Sequence, residues 1–88
     1  SRDADTRLVQ FLIDGAGVTR GAARFTLPGS KQDLAAHLGM TPATLSRALK
    51  RLSPLGVKTA GSDIQIENIA RLSTFSRGQA AARTQTGA

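Results

Sequence analysis

Four side chains are placed at helical spacing between residues 43 and 50. They are Ala43, Ser46, Arg47 and Lys50, and a helix would present all four on one face. A guanidinium can donate two hydrogen bonds to O6 and N7 of guanine, a Ser hydroxyl can bond several base edges, and an Ala methyl can contact the methyl of thymine. These residue types at this spacing indicate a surface suited to the major groove of duplex DNA.

The charge pattern around this face favours the same chemistry. The chain has 12 Lys and Arg against 6 Asp and Glu, a net charge of +6. Between Leu34 and Ser62 there is no acidic residue, while Arg47, Lys50, Arg51 and Lys58 all lie in that stretch. Because an ordinary solvated surface mixes signs, this stretch predicts a polyanionic partner.

The elements that must position this face begin at Ser30. Ser30 and Asp33 have the spacing of a capping box, with Asp in the place of the usual Glu or Gln, and this predicts a helix over residues 31–38. Gly39 then ends that helix, as a glycine after the last helical residue commonly does.

A second helix is predicted over about 42–53, with Thr41 as its N-cap and Pro42 at its first position. Its apolar residues fall on one stripe: Leu45, Ala48, Leu49 and Leu52. Two short helices joined by a tight turn that contains Gly match a helix-turn-helix. We expect Leu34, Leu38 and Met40 to complete its core.

The flanking segments predict a small sheet and two further helices. Leu8, Phe11 and Leu12 indicate an amphipathic helix before the motif, and residues 24–27 indicate a short strand. Residues 57–66 read as a β-hairpin with a four-residue loop over 60–63, and a short helix is expected over about 68–75.

The predicted fold class is therefore mainly α with small β. It is a winged helix-turn-helix with a three-helix core, a short strand or hairpin before the motif and a β-hairpin wing after it. Residues 1–76 are predicted to form this domain. Residues 77–88, which contain no bulky apolar residue, are predicted to be a disordered basic tail.

Residues 27–52, from Leu27-Pro28-Gly29-Ser30 to Lys50-Arg51-Leu52, resemble the C-terminal DNA-binding domain of the Crp/Fnr superfamily of bacterial transcription regulators. The similarity covers roughly residues 7–75, and Thr44-Leu45-Ser46-Arg47 is most similar to the Fnr and Dnr-like branches. The family commonly has Glu at the position of Ala43, where it helps to read the half-site. The operator sequence is therefore left open.

The resemblance implies a cytoplasmic bacterial homodimer on a palindromic operator in double-stranded DNA, with RNA polymerase as a further partner. It also implies a sensor domain outside this segment that binds haem, an iron–sulfur cluster or a cyclic nucleotide. We expect no cofactor in the segment itself. We expect base contacts from Ala43, Ser46 and Arg47. We expect contacts to the DNA backbone from the polar side chains around them: Ser30, Lys31, Gln32, Thr41, Thr44, Lys50, Arg51 and Lys58.

Other classes of function find less support. His37 is the single histidine, the chain has no cysteine, and the acidic residues are scattered, so neither an enzyme nor a metal site is predicted. A winged helix used for protein contact is the alternative interpretation, since a fold does not dictate function. A membrane-surface module or a membrane span is not expected, because the longest run of bulky apolar residues is Phe11-Leu12-Ile13.

Overall fold

Four helices and three short strands make up the computed structural model, which describes residues 2–86. In chain order they are α1 (Arg2–Ala16), β1 (Ala23–Thr26), α2 (Lys31–His37), α3 (Pro42–Leu52), a 3-10 turn (Ser53–Leu55), β2 (Val57–Ala60), β3 (Asp63–Ile66) and α4 (Ile69–Thr86). No helix within the described residues has the length and hydropathy needed to cross a membrane.

The three strands form one antiparallel sheet in the order β1-β3-β2. Strands β2 and β3 are the predicted hairpin, but its loop has two residues, Gly61 and Ser62, rather than four. Gly61 has a φ of +60°, which a glycine adopts at little steric cost. Strand β1 pairs with β3, so that Phe25 lies opposite Ile64. The strand that precedes the motif is thus the third strand of the wing's sheet.

The core lies where α1, α3, α4 and the inner face of the sheet meet. Its largest fully buried side chains are Leu8, Val9, Leu12, Leu45, Leu52, Ile64, Ile66, Ile69 and Leu72. Complete burial of one such side chain contributes about 1.5–3 kcal/mol. Leu38, Met40 and Leu49, which were expected in the core, are half-buried at its edge. Helix α3 therefore packs against the core through Leu45, Ala48 and Leu52.

The winged helix-turn-helix predicted from the sequence is confirmed, since the two motif helices, the preceding strand and the hairpin wing are all present. Helix α3 ends at Leu52, one residue earlier than predicted. Ser53 begins the 3-10 turn, in which Pro54 cannot continue an α-helical hydrogen-bond pattern.

Helix α4 is longer than the helix expected over 68–75. It includes residues 77–86, which were predicted to be disordered. That prediction weighed only apolar burial. The segment is also rich in strong helix formers, Ala, Arg and Gln, and contains no Pro, so a helix begun at Ile69 can continue through it. The last two residues of the predicted tail, 87 and 88, lie outside the described residues.

Candidate nucleic-acid interface

Helix α2 starts from the capping box predicted at Ser30. The Asp33 amide donates to the Ser30 hydroxyl at 3.0 Å, and the Ser30 amide donates to an Asp33 carboxylate oxygen at 3.0 Å. The shorter Asp side chain therefore serves in the place of Glu. This cap fixes the start of α2, where the exposed side chains of Lys31 and Gln32 lie.

The turn between the motif helices depends on Gly39. Its φ is +72°, a conformation that residues with a Cβ rarely adopt. The Met40 amide donates to the Ala35 carbonyl at 2.9 Å, and the Arg7 guanidinium donates to the Leu38 carbonyl at 3.3 Å. The carbonyls at the end of α2 are thus bound by backbone and side-chain donors, and the chain is redirected into α3.

Three polar side chains on the first two turns of α3 are joined in sequence. The Thr41 hydroxyl accepts from the Thr44 amide at 3.1 Å and also contacts the Thr44 hydroxyl at 3.0 Å. Arg47 in turn donates to the Thr44 hydroxyl at 3.3 Å. The Arg47 guanidinium is therefore held along the helix while its side chain remains exposed.

The structure places all four residues of the predicted DNA-facing surface outward. Ala43, Ser46, Arg47 and Lys50 are exposed, whereas Leu45, Ala48 and Leu52 on the other side of α3 are buried. The methyl group, the hydroxyl and the guanidinium thus lie on one exposed face of the first two turns of α3. These groups can contact base edges, and none of them is engaged by a carboxylate in the described contacts.

A groove of about 560 Å³ runs between α3, β2 and the start of α2. Its walls include all three lysines of the chain, Lys31, Lys50 and Lys58, and none of the described residues that line it is acidic. Lys31 donates to the Thr59 hydroxyl on β2 at 3.4 Å, which joins the start of α2 to the wing. The groove therefore brings together three cations that the sequence separates by 27 residues between the first and the last.

Arg51, which was expected to contact the DNA backbone, does not line this groove and instead contacts Asp5 on α1. Its Nε donates to both carboxylate oxygens of Asp5 at 3.0 Å, and its Nη2 donates to one of them at 2.8 Å. This hydrogen bond raises the pKa of the Arg51 guanidinium, and the charge of Asp5 adds to the effect. The Arg51 charge is thus bound to α1, outside the lysine groove.

Sequence reasoning missed Asp5, Arg7 and Thr59 as partners of the motif. Nothing local to Asp5 in the sequence indicates that its carboxylate meets a guanidinium 46 residues later. A count of charges along the sequence cannot show this pairing, because the pairing depends on how α1 packs against α3.

Metal-ligating side chains do not cluster in the part of the chain that the structure describes. Within residues 2–86, no group of three or more His, Asp or Glu side chains lies close enough to hold a metal ion. His37 is exposed, and its ring contacts the Phe11 ring edge-on at a centroid distance of 6.3 Å. The contacts of His37 are therefore those of an exposed side chain that packs against a neighbouring ring.

The architecture and the outward face of α3 define the chain as a winged helix-turn-helix domain. It belongs to the Crp-like helix-turn-helix domain family, because the model of that family matches residues 6–75. This is a family of DNA-binding transcription-regulator domains, which confirms the resemblance drawn from residues 27–52. A comparison with curated protein sequences found no significant match to the chain.

Several solved structures are similar to the chain. One, from Ruegeria pomeroyi and described as a candidate cyclic nucleotide binding protein, is 36% identical with a TM-score of 0.79, over 84% of this chain and 33% of its own. A second, from Silicibacter pomeroyi and described as a candidate cAMP-binding regulatory protein, is 34% identical with a TM-score of 0.72, over 83% and 31%. Reduced CprK, at 15% identity and a TM-score of 0.69 over 83% and 38%, shares the fold. The chain spans about a third of the length of these structures.

Proposed function

We propose that the chain binds duplex DNA in a sequence-specific manner, with α3 in the major groove. The observation that carries this proposal is the exposed face of Ala43, Ser46 and Arg47 beside a groove lined by three lysines. A helix fits the major groove, and in a helix-turn-helix the residues near the start of the second helix contact base edges. The first two turns of α3 carry these three side chains.

Base reading is assigned to Ala43, Ser46 and Arg47. Arg47 donates two hydrogen bonds to a guanine, Ser46 bonds a neighbouring base edge, and the Ala43 methyl contacts a thymine methyl. The Thr44 hydroxyl supports this role for Arg47, because it holds the guanidinium at 3.3 Å before DNA arrives. A side chain that is already ordered loses less conformational entropy on binding.

Phosphate contacts are assigned to polar groups on α2, α3 and the wing, around the base-reading residues of α3. They come from Ser30, Lys31, Gln32, Thr41, Thr44, Lys50 and Lys58. The wing formed by β2 and β3 lies along the DNA backbone, where Lys58 neutralises phosphate charge without reading sequence. Asp5 binds Arg51, so Arg51 is not assigned to this set.

The longer regulator to which such a domain belongs acts, in this proposal, as a cytoplasmic homodimer on a palindromic operator. Two recognition helices in a dimer lie about 34 Å apart, one turn of DNA, and so engage two half-sites together. A sensor domain that binds haem, an iron–sulfur cluster or a cyclic nucleotide would control such a dimer, and RNA polymerase would be its partner. The resemblance to Crp/Fnr regulators supports this extension.

The decisive variant is Arg47→Ala, with Arg77→Ala as its matched control. Arg77 lies on α4 and donates to the Thr74 hydroxyl at 3.3 Å, so both variants remove one positive charge and one Arg–Thr contact of the same spacing. Binding is measured by fluorescence anisotropy on a duplex selected from a random pool.

Arg47→Ala is expected to weaken binding by about 1–3 kcal/mol and to relax the preference at one guanine. Arg77→Ala is expected to leave that preference unchanged. If Arg47→Ala retains the affinity and the sequence preference of the wild-type chain, α3 does not read DNA as proposed.

A further inference from the structure

The contact between Asp5 and Arg51 is the most directional charged contact that the structure describes. The guanidinium meets the carboxylate with three N–O distances of 2.8 to 3.0 Å. The Asp5 side chain is only 13% exposed, and the Arg51 side chain 42%. The other described ion pair, Arg24 with Asp63, is 3.8 Å long with both side chains more exposed. Because the guanidinium is planar and donates more than one hydrogen bond, it fixes the orientation of Arg51 relative to the Asp5 carboxylate as well as the distance between them.

This contact joins α1 to the last turn of the recognition helix. Two residues further along α1, Arg7 donates to the carbonyl of Leu38, just beyond the end of α2. Two side chains of α1 therefore bind groups at the C-terminal ends of both motif helices. Apolar contacts alone, such as those of Leu8 and Leu12 in the core, do not specify direction in this way.

Arg51 is also the neighbour of Arg47 one turn earlier on α3. Like charges at this spacing repel each other on a helix surface. With its guanidinium turned toward Asp5, Arg51 lies away from the base-reading face, and Arg47 keeps its contact with Thr44. Release of Arg51 would leave a second guanidinium free to bind phosphate close to Arg47.

We infer that Asp5 is a positioning residue for DNA recognition: it withholds Arg51 from the DNA and fixes the last turn of α3 against α1, so that Arg47 is presented in one orientation. This inference rests on the proposed function, since it concerns how α3 is aimed at DNA. It assigns a role in sequence preference to two residues that contact no base.

The test uses Asp5→Asn and Arg51→Lys in the 88-residue chain. Asp14→Asn is the matched control, because Asp14 lies on the same helix, gives the same change of charge and accepts only from the uncharged Gln10 in the described contacts. Each variant is titrated against a selected duplex and an unrelated duplex over a range of salt concentrations. Circular dichroism at the same temperature verifies that each variant is folded.

The measured quantity is the ratio of affinities for the selected and the unrelated duplex. In Asp5→Asn this ratio is expected to fall about fivefold, while affinity for the unrelated duplex rises. The salt dependence should steepen by about one unit as the freed Arg51 reaches a phosphate. Asp14→Asn should retain the wild-type ratio, because a charge change alone raises both affinities.

Arg51→Lys separates positioning from a direct phosphate contact. Lys keeps the charge but lacks the fork, so a direct phosphate role would leave affinity and preference unchanged, and that result would overturn the inference. A ratio in Asp5→Asn equal to that in Asp14→Asn would overturn it as well. If the wild-type chain shows no preference for any duplex, the proposed function fails, and this is seen before any variant is compared.

Discussion

At the scale of single residues, the face of α3 formed by Ala43, Ser46, Arg47 and Lys50 has two features that decide which bases it can contact. It carries the Arg47 guanidinium, and Ala43 gives it no carboxylate. The described face holds donors and a methyl group but no carboxylate. Carboxylates are the side chains that accept a hydrogen bond from the amino group of cytosine. On α3 the Arg47 guanidinium contacts the Thr44 hydroxyl instead. A carboxylate at position 43 would add an acceptor that this face lacks.

Ala43→Glu is therefore expected to change which sequences are bound. The new carboxylate can accept from cytosine, so the motif recovered from a random DNA pool should gain a cytosine at one position of the half-site. Ala36→Glu is the control, since Ala36 is exposed on α2 and the substitution is the same. An unchanged motif in Ala43→Glu, or the same shift in Ala36→Glu, would contradict the assignment of Ala43 to a base contact.

Lys58 allows the role of the wing to be measured separately. Lys58→Ala should weaken binding to all duplexes alike and reduce the slope of log affinity against log salt by about one unit, because one phosphate contact is lost. Arg77→Ala, which removes a charge from α4, should leave the slope at the wild-type value. A Lys58→Ala slope equal to that of the wild-type chain would remove the wing from the interface.

At the scale of elements, the turn between α2 and α3 determines the angle at which the recognition helix is presented. Gly39 has a positive φ, and a Cβ built there would lie 3.5 Å from the Arg7 guanidinium. The backbone conformation, rather than lack of space, is thus what requires glycine. Gly78 on α4 has a helical conformation and nothing within 4 Å of a built Cβ.

The two glycines predict opposite effects of the same substitution. Gly39→Ala should lower the free energy of unfolding by about 1 kcal/mol, because the left-handed conformation strains a residue with a Cβ. Gly78→Ala should leave it unchanged or raise it by up to about 1 kcal/mol through helix propensity. Thermal and urea denaturation measure both. Equal stability of Gly39→Ala and the wild-type chain would mean that the turn tolerates a side chain.

The sequence predicted the elements whose signals are local. The cap from Ser30 to Asp33, the stop at Gly39 and the start at Thr41 are each encoded within a few residues, and the structure confirms all three. The pairing of β1 with β3 and the contact of Asp5 with Arg51 join distant segments, so no local pattern reveals them. The length of α4 was underestimated because its apolar pattern ends before its helix propensity does.

At the scale of the whole molecule, the net charge of +6 is less informative than its distribution. The three lysines surround one groove beside the recognition face, whereas the Arg51 charge is bound to Asp5 on α1. The structure thus places the three lysines and Arg47 on the side of the molecule that carries α3 and the wing. A single domain of this kind engages one half-site, so high affinity for an operator requires two copies acting together.

Selection of bound duplexes from a random DNA pool by the 88-residue chain tests the central claim most directly. The account predicts that one short motif is enriched, that it contains a guanine contacted by Arg47, and that Arg47→Ala loses the preference at that guanine. Recovered sequences that do not differ from the starting pool, in a chain shown to be folded, would contradict sequence-specific DNA binding.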